Sequence, residues 1–220
     1  MAVNEQSNRG GYVKHAMLVL LLAATLCPGQ GTFMVKFEGP PILTPGQGWT
    51  AASYVESGMN FYLLGSHLFW QGVTRYQGPY GVWPDNGTAY LVGGSSITNT
   101  IAFSQIDSAL FNLFSVDLSP YAGDHPPPAT VQFVGYRSDG SVVATNLIAS
   151  AFNGVGVPVF ETFYLSPDFY DLIRVEIPSH GWCLDNLVFS VIPEPSVMVL
   201  FSIGGLLFLA NQVRKRRSRQ

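Results

Sequence analysis

Aromatic residues are dense between Gly65 and Asn86, where they stand among glycines and prolines. The flat rings of Trp and Tyr can stack on the apolar C–H faces of sugars, while nearby polar side chains bind hydroxyl groups. Apolar and polar residues do not alternate in this segment, so we expect a long loop. An aromatic cluster that pins this loop to the domain is the alternative. The pattern predicts a carbohydrate-binding loop with four aromatic contacts: Trp70, Tyr76, Tyr80 and Trp83.

Sequence signatures of catalysis are missing. His67, His125 and His180 have no metal-ligand spacing, and Cys183 has no Cys-x-x-Cys partner once Cys27 leaves with the N-terminal segment. Cys183 alternates with apolar neighbours, which predicts a buried apolar role. No nucleophile, phosphate-loop or dinucleotide motif appears, and sequence alone cannot pair two carboxylates as acid and nucleophile. We therefore expect no enzyme activity, and a secreted polysaccharide-active hydrolase is the alternative.

Charge is sparse and unevenly distributed along the chain. Of 220 residues, 47% are hydrophobic and only 11% are charged, against about 25% charged residues in an average domain. Residues 32–192 include 12 acidic and four basic residues, so this part has a net charge near −8. Such a domain lacks the basic surface that nucleic acid requires, and we exclude nucleic acid as a partner.

The first 31 residues have the plan of a secretory signal peptide. A polar stretch that ends at Lys14 is followed by the 11-residue, predominantly apolar run Ala16–Leu26, and then by small residues that suit cleavage near Gly31. An apolar run of this length is too short to span a membrane comfortably. We expect residues 1–31 to form a signal helix that directs export across a membrane.

The C-terminal segment, residues 193–220, combines a short motif, an apolar run and a basic tail. Pro193, Glu194 and Pro195 precede the apolar run 197–213. Its 17 residues rise about 26 Å as a helix, which is marginal for a hydrocarbon core of roughly 30 Å but sufficient when flanking side chains snorkel to the interface. Basic residues directly after the run place the C-terminus in the cytoplasm. These membrane-stop residues are Arg214, Lys215, Arg216, Arg217 and Arg219.

The remaining residues, 32–192, form one predicted domain with strand-like patterns throughout. Apolar and polar residues alternate with period two, turn residues recur every few positions, and no helical period long enough for a crossover helix is found. A helical turn is expected only at Ser104–Leu110, and residues 137–141 predict a hairpin turn. We therefore expect an all-β, antiparallel β-sandwich. The predicted strands are 33–38, 59–63, 88–92, 97–103, 110–118, 130–136, 142–149, 159–165, 173–177 and 184–191.

The C-terminal segment closely resembles the PEP-CTERM protein-sorting signal of Gram-negative bacteria. The motif 193–195, the transmembrane run 197–213 and the basic tail 214–219 carry this resemblance. It implies exosortase as a partner, an integral-membrane protease that removes the tail at or near the motif. It also implies the inner membrane as a partner before processing. A permanent single-span anchor is the alternative.

The central domain is similar to domains that precede PEP-CTERM signals. That resemblance implies a jelly-roll or galactose-binding-like sandwich in a cell-surface or extracellular-matrix protein. The resemblance concerns fold and location more than function. From the aromatic loop and the location together we expect a structural or adhesive role with weak binding of exopolysaccharide; a purely structural surface protein without a ligand is the alternative. The segments that carry the resemblance are 37–41, 56–59, 86–91, 111–118, 131–136 and 181–187.

Similarity to carbohydrate-binding sandwiches also implies a structural Ca²⁺ where the first and last strands meet. Calcium takes oxygen ligands, and Glu38 ends the first predicted strand while Asp185 lies on the last. These two residues are the metal-ligand candidates. In the alternative, Glu38 is a solvated edge charge and Asp185 caps a turn.

Overall fold

The computed structural model of the chain describes residues 31–40, 51–64, 83–84, 86–93, 100–121, 128–193 and 204–205, together with the backbone of 47–48 and 73–75. The chain divides into two units, Gly31–Ile192 as one and Met1–Gln30 with Pro193–Gln220 as the other. The predicted signal helix lies outside the described residues. Of the predicted membrane helix only residues 204–205 are described, and they are helical. Within the described ranges, no helix is both long and apolar enough to cross a membrane.

The unit Gly31–Ile192 is all-β, and every strand pairing described in it is antiparallel. Among the residues of this unit that the structure describes, one 3₁₀ turn, Pro167–Phe169, lies between strands. The strands are β1 Thr32–Val35, β2 Gln47–Gly48, β3 Ser53–Glu56, β4 Met59–Leu64, β5 Val73–Arg75, β6 Tyr90–Gly93, β7 Thr100–Gln105, β8 Phe111–Pro120, β9 Ala129–Arg137, β10 Val142–Ala149, β11 Glu161–Tyr164, β12 Leu172–Ile177 and β13 Trp182–Val191.

In space, the hydrogen-bonded strands form two series, which we call layer A and layer B. Layer A has the order β2-β5-β6-β13-β8-β11, with β1 beside β13, and layer B has the order β3-β4-β7-β12-β9-β10. One residue pair, Leu172 with Phe111, joins β12 to β8, so that the hydrogen bonding continues from layer B into layer A. The result is a nearly closed, barrel-like antiparallel sheet.

The inward-facing side chains of both layers form one apolar core. Phe103 and Phe133 of layer B are fully buried together with Phe111 and Trp182 of layer A. The indole of Trp182 lies directly over Gly93, where a Cβ would come within 2.1 Å of the ring. Only glycine therefore fits at position 93, because interiors are close-packed and any larger residue must displace the ring.

The period-two alternation predicts the long strands β9, β10, β12 and β13 correctly. The hairpin at residues 137–141 is also confirmed: Gly140 has φ +84, and Asp139 Oδ1 accepts a hydrogen bond from Ser141 N at 2.8 Å. That conformation suits glycine because it has no Cβ to clash.

Two predictions about secondary structure are wrong. The expected helical turn at Ser104–Leu110 is replaced by the end of β7 and a tight turn, in which Asp107 accepts a hydrogen bond from Ala109 N at 3.0 Å. Ser108 has φ +62, which no right-handed helix contains. The expected strand-free loop from Gly65 to Asn86 contains β5, which pairs with β2 and β6. A strand of three residues is too short to show a clear alternation of apolar and polar side chains. It forms because neighbouring strands pair with it, and the local sequence does not reveal them.

Candidate functional site

The outward side of layer B carries two tyrosines among polar side chains. On β4, Met59 and Phe61 are buried in the core, so Asn60 and Tyr62 face outward. Side chains alternate in the same way along β7, β9 and β12, so residues of these strands also face outward on this side. We call this surface the tyrosine face and define it by Asn60, Tyr62, Ser104, Tyr136, Arg174 and Glu176.

Tyr136 is held in place by a cation and an anion. Its hydroxyl donates to Glu176 Oε2 at 2.9 Å, and the guanidinium carbon of Arg174 lies 4.4 Å from its ring centroid. Arg174 Nη2 in turn contacts Glu176 Oε1 at 2.8 Å. The hydrogen bond to Glu176 raises the pKa of the Tyr136 phenol, and partial burial adds to the rise. All three groups are therefore fixed relative to one another before any ligand arrives.

Cross-strand register connects the two tyrosines. Tyr62 pairs with Ala102, Ala102 pairs with Glu176, and Glu176 pairs with Val134, two residues before Tyr136. Three strand spacings separate β4 from β9, which is roughly 14 Å across the sheet. Both tyrosines are half-buried. The arrangement provides two aromatic surfaces with polar side chains between them, spaced for an extended ligand rather than for a single small molecule.

Two polar atoms on the tyrosine face lack a hydrogen-bond partner among the residues that the structure describes. They are Asn60 Oδ1, an acceptor, and Arg174 Nε, a donor. Buried polar atoms are nearly always paired, and leaving one unpaired costs about 1–3 kcal/mol. Both atoms are buried, so a ligand does not reach them on the face as it stands, and they carry no argument for binding.

Of the four aromatic residues that the sequence predicts as ligand contacts in the loop, the structure describes only Trp83. Trp83 is half-buried, and its ring centroid lies 4.3 Å from that of Tyr121. It packs with Tyr121 and Phe160 against the buried residues Tyr90, Val92 and Cys183, on the outward side of layer A. Trp70, Tyr76 and Tyr80 lie outside the described residues. The loop's role in carbohydrate binding stays a prediction, and Trp83 occupies a packing position.

Asp185 anchors a turn of the chain over layer A. Its Oδ2 accepts hydrogen bonds from Asn86 Nδ2 at 2.7 Å and Thr88 Oγ1 at 3.0 Å, and its Oδ1 accepts from Asn186 N at 2.7 Å. Asn186 has φ +45 at a register shift in β13, and its amide donates to Asp117 Oδ2 at 2.8 Å. The network joins β13, β8 and the turn before β6.

Glu38 and Asp185, the two candidate calcium ligands, both form hydrogen bonds with the segment just before β6. β1 pairs with β13, as the prediction requires, and Glu38 Oε1 accepts a hydrogen bond from Ala89 N at 2.9 Å, next to the turn that Asp185 holds. The groups directed at Asp185 are N–H and O–H donors, which repel a cation. In the part of the chain that is described, no three His, Cys, Asp or Glu side chains could share a metal ion. These donors do not fit Ca²⁺ at Asp185, and calcium stays a prediction from the sequence.

Asp117 and Asp185 are direct cross-strand partners, and we consider them as the acid pair that a hydrolase would need. Burial raises the pKa of Asp185 to about 6, and the negative charge of Asp117 adds to the rise, while hydrogen bonds from Asn86, Asn186 and Thr88 oppose it. Such a shift is typical of a general acid. However, Asp185 is only 1% exposed, so its proton cannot reach a polysaccharide. The arrangement favours a structural role for the pair.

Cys183 is fully buried, as its alternation with apolar residues predicts. Burial raises the pKa of its thiol, so the reactive thiolate is suppressed. Of the sorting motif, Pro193 is described and exposed, whereas Glu194 and Pro195 lie outside the described residues. The same is true of the membrane-stop residues Arg214, Lys215, Arg216, Arg217 and Arg219.

Sequence reasoning missed the tyrosine face. Its members come from β4, β7, β9 and β12, which are far apart along the chain and meet only through register. One clue was available: Tyr62 and Tyr136 occupy positions that alternate with buried apolar residues, where an aromatic ring on the solvent side is unusual.

No family model and no curated protein matches this chain. Among solved structures it is similar to a family 29 carbohydrate-binding module from Piromyces equi, at 10% identity over 75% of this chain and 93% of the module, with a TM-score of 0.39. It is also similar to a family 22 xylan-binding domain from Paenibacillus barcinonensis, at 12% identity over 75% and 97%, TM-score 0.39. A family 11 carbohydrate-binding module of Clostridium thermocellum matches at 11% identity over 77% and 99%, TM-score 0.28. Similarities this weak do not tell what this chain binds.

Proposed function

We propose that Gly31–Ile192 is a non-catalytic module that binds carbohydrate through the tyrosine face. One observation carries the proposal: the ring of Tyr136, fixed by Arg174 and Glu176, shares a sheet surface with Tyr62. Aromatic rings provide the stacking surface, and the charged pair provides donors and acceptors for hydroxyls. Because these groups are already held in place, a ligand loses little affinity to ordering them.

The shape of the face suits a chain of sugars. A sheet surface with two aromatic rings about three strands apart offers contacts to several successive rings. Few strong contacts are present at any single point, so we expect weak affinity for one sugar and useful affinity only for several linked units. This agrees with an adhesive or structural role in an exopolysaccharide matrix. The jelly-roll or galactose-binding-like assignment rests on the resemblance of the central domain.

We also propose that the chain is an exported PEP-CTERM substrate of exosortase. The support is the sequence order of signal peptide, domain, Pro-Glu-Pro motif, apolar run and basic tail. Mass spectrometry of the protein from its native cells tests this directly: we expect a C-terminus at or near residues 193–195. An intact C-terminus at Gln220 would leave a permanent anchor in place of a processed protein.

Carbohydrate binding is tested with the full-length chain in a detergent that has no sugar headgroup, applied to a glycan array. We expect binding by the wild type and loss of binding by Tyr62→Ala combined with Tyr136→Ala. Tyr164→Ala is the matched control, because Tyr164 is 82% exposed and lies on β11 in layer A. Equal binding by all three proteins would refute the tyrosine face. No binding by the wild type would favour a surface protein without a ligand.

A further inference from the structure

We propose that the ligand of the tyrosine face is a neutral polysaccharide, and that Glu176 excludes acidic ones. The inference rests on the proposed function and adds the chemical class of the ligand. It follows from how the charges on this face are already used.

Arg174 is the cation of the tyrosine face, and its charge is already engaged. Glu176 Oε1 lies 2.8 Å from Arg174 Nη2, and the guanidinium covers the ring of Tyr136. The neighbouring cation on β9, Arg137, is turned to the other side, where it bonds the carbonyl oxygen of Asp168. An incoming uronate therefore finds no cation on this face that is free to pair with it, as far as the described side chains go.

A uronate that competed for Arg174 would have to approach Glu176. The Glu176 side chain is only 17% exposed. If a uronate displaced it from Arg174, the poorly hydrated carboxylate of Glu176 would lie beside the carboxylate of the uronate. Two carboxylates at a poorly hydrated position repel each other and disfavour binding strongly. Separating Glu176 from Arg174 also costs more free energy than the intact ion pair contributes to stability. A neutral sugar avoids this cost, since its hydroxyls can donate to Glu176 and accept from Arg174 without breaking their contact.

The field of the whole domain acts in the same direction. Residues 32–192 carry 12 acidic and four basic residues. A net charge near −8 repels a polyanion at distances up to the Debye length, about 10 Å at 0.1 M salt. Selection against acidic chains thus has a local component at Glu176 and a diffuse component over the surface.

Glu176→Gln separates these two components. Glutamine keeps an acceptor for the Tyr136 hydroxyl but removes the negative charge, which leaves the guanidinium of Arg174 able to pair with a uronate. We expect this variant to bind acidic polysaccharide at least about tenfold more tightly than the wild type does at low salt. The gain should vanish in Arg174→Gln combined with Glu176→Gln, since the cation is then gone.

The experiment measures binding of the full-length chain, in a detergent without a sugar headgroup, to two soluble panels. The neutral panel contains β-glucan, xylan, mannan and galactan; the acidic panel contains alginate and polygalacturonate. We expect wild-type binding to the neutral panel only, with a Kd that changes less than about twofold between 50 and 500 mM NaCl. The salt measurement needs no variant and therefore stands even if Glu176→Gln fails to fold.

Each outcome decides one claim. Tighter wild-type binding to the acidic panel, weakened by salt, would overturn the inference and leave carbohydrate binding intact. A folded Glu176→Gln variant with no gain for acidic chains would remove Glu176 as the excluding residue. No binding to either panel would refute the proposed function itself.

Discussion

The guanidinium of Arg174 and the ring of Tyr136 are stacked across neighbouring strands, with 4.4 Å between the guanidinium carbon and the ring centroid. Register brings these two residues opposite each other on β12 and β9. A cation over an aromatic face contributes roughly 0.5–1 kcal/mol at a partly exposed site. The contact fixes one ring face and leaves the remaining exposed part of Tyr136 for a ligand.

The phenol ring and the hydroxyl of Tyr136 should contribute unequally to binding. Tyr136→Phe keeps the ring and loses a bond within the protein, to Glu176, rather than a bond to the ligand, so we expect affinity for neutral polysaccharide within about fivefold of wild type. Tyr136→Ala removes the stacking surface and should weaken binding at least about tenfold. Titration calorimetry on both variants checks this. Equal losses in the two would mean that the hydroxyl, not the ring, makes the contact.

Asp185 should make stability depend on pH between about 4 and 6. Its pKa is raised to about 6 in the folded chain from 3.8, so the folded state retains a proton that the unfolded chain has released. The stabilisation is complete below about pH 4 and is lost as pH rises through about 6, by about 3 kcal/mol.

Chemical denaturation of the wild type and of Asp185→Asn across pH 4 to 7 isolates this contribution. We expect the unfolding free energy of wild type minus that of Asp185→Asn to fall as pH rises, because the wild type loses stability while asparagine does not titrate. A difference that stays constant across this range would show that Asp185 keeps an ordinary pKa despite its burial.

Gly93→Ala should destabilise the fold through one contact. An added Cβ would lie 2.1 Å from the Trp182 ring, and overpacking of this kind costs about 1–3 kcal/mol. Gly154→Ala is the control, because no atom of the other described residues, its two chain neighbours aside, lies within 4 Å of its added Cβ. Thermal unfolding of both variants gives the comparison. A Gly93→Ala protein as stable as the control would show that the indole shifts without cost.

Trp83→Ala distinguishes packing from ligand contact. Trp83 packs against Tyr121 and the cluster at Cys183, so we expect a loss of about 1–3 kcal/mol in stability and unchanged affinity for neutral polysaccharide. Denaturation and glycan titration on the same preparation measure both. The opposite pattern, intact stability with affinity reduced tenfold, would return the binding site to the aromatic loop.

The long strands were predictable because their two sides differ in burial. On β9 the pattern of residues 129–137 alternates between core and outward positions over nine residues, which gives a clear period of two. The short strands β2, β3 and β5 have no such length. They form because neighbouring strands offer hydrogen-bond partners, and a single sequence does not reveal which distant segment pairs with which.

The candidate site was less predictable than the fold. An aromatic-rich stretch attracts attention in a sequence, whereas Tyr62 and Glu176 are single residues on strands more than one hundred positions apart. Their shared surface depends on the register Tyr62–Ala102–Glu176, a product of the whole topology. Asp185 was identified from the sequence, but its burial under the turn at Asn86 and Thr88 depends on tertiary packing.

Hydrogen–deuterium exchange of the full-length chain, with and without a neutral oligosaccharide that it binds, tests the account most directly. We predict slower exchange on ligand binding in the peptides that cover β4, β9 and β12, with little change in β11. Protection confined to residues 65–86, with none on those three strands, would contradict the tyrosine face as the binding site.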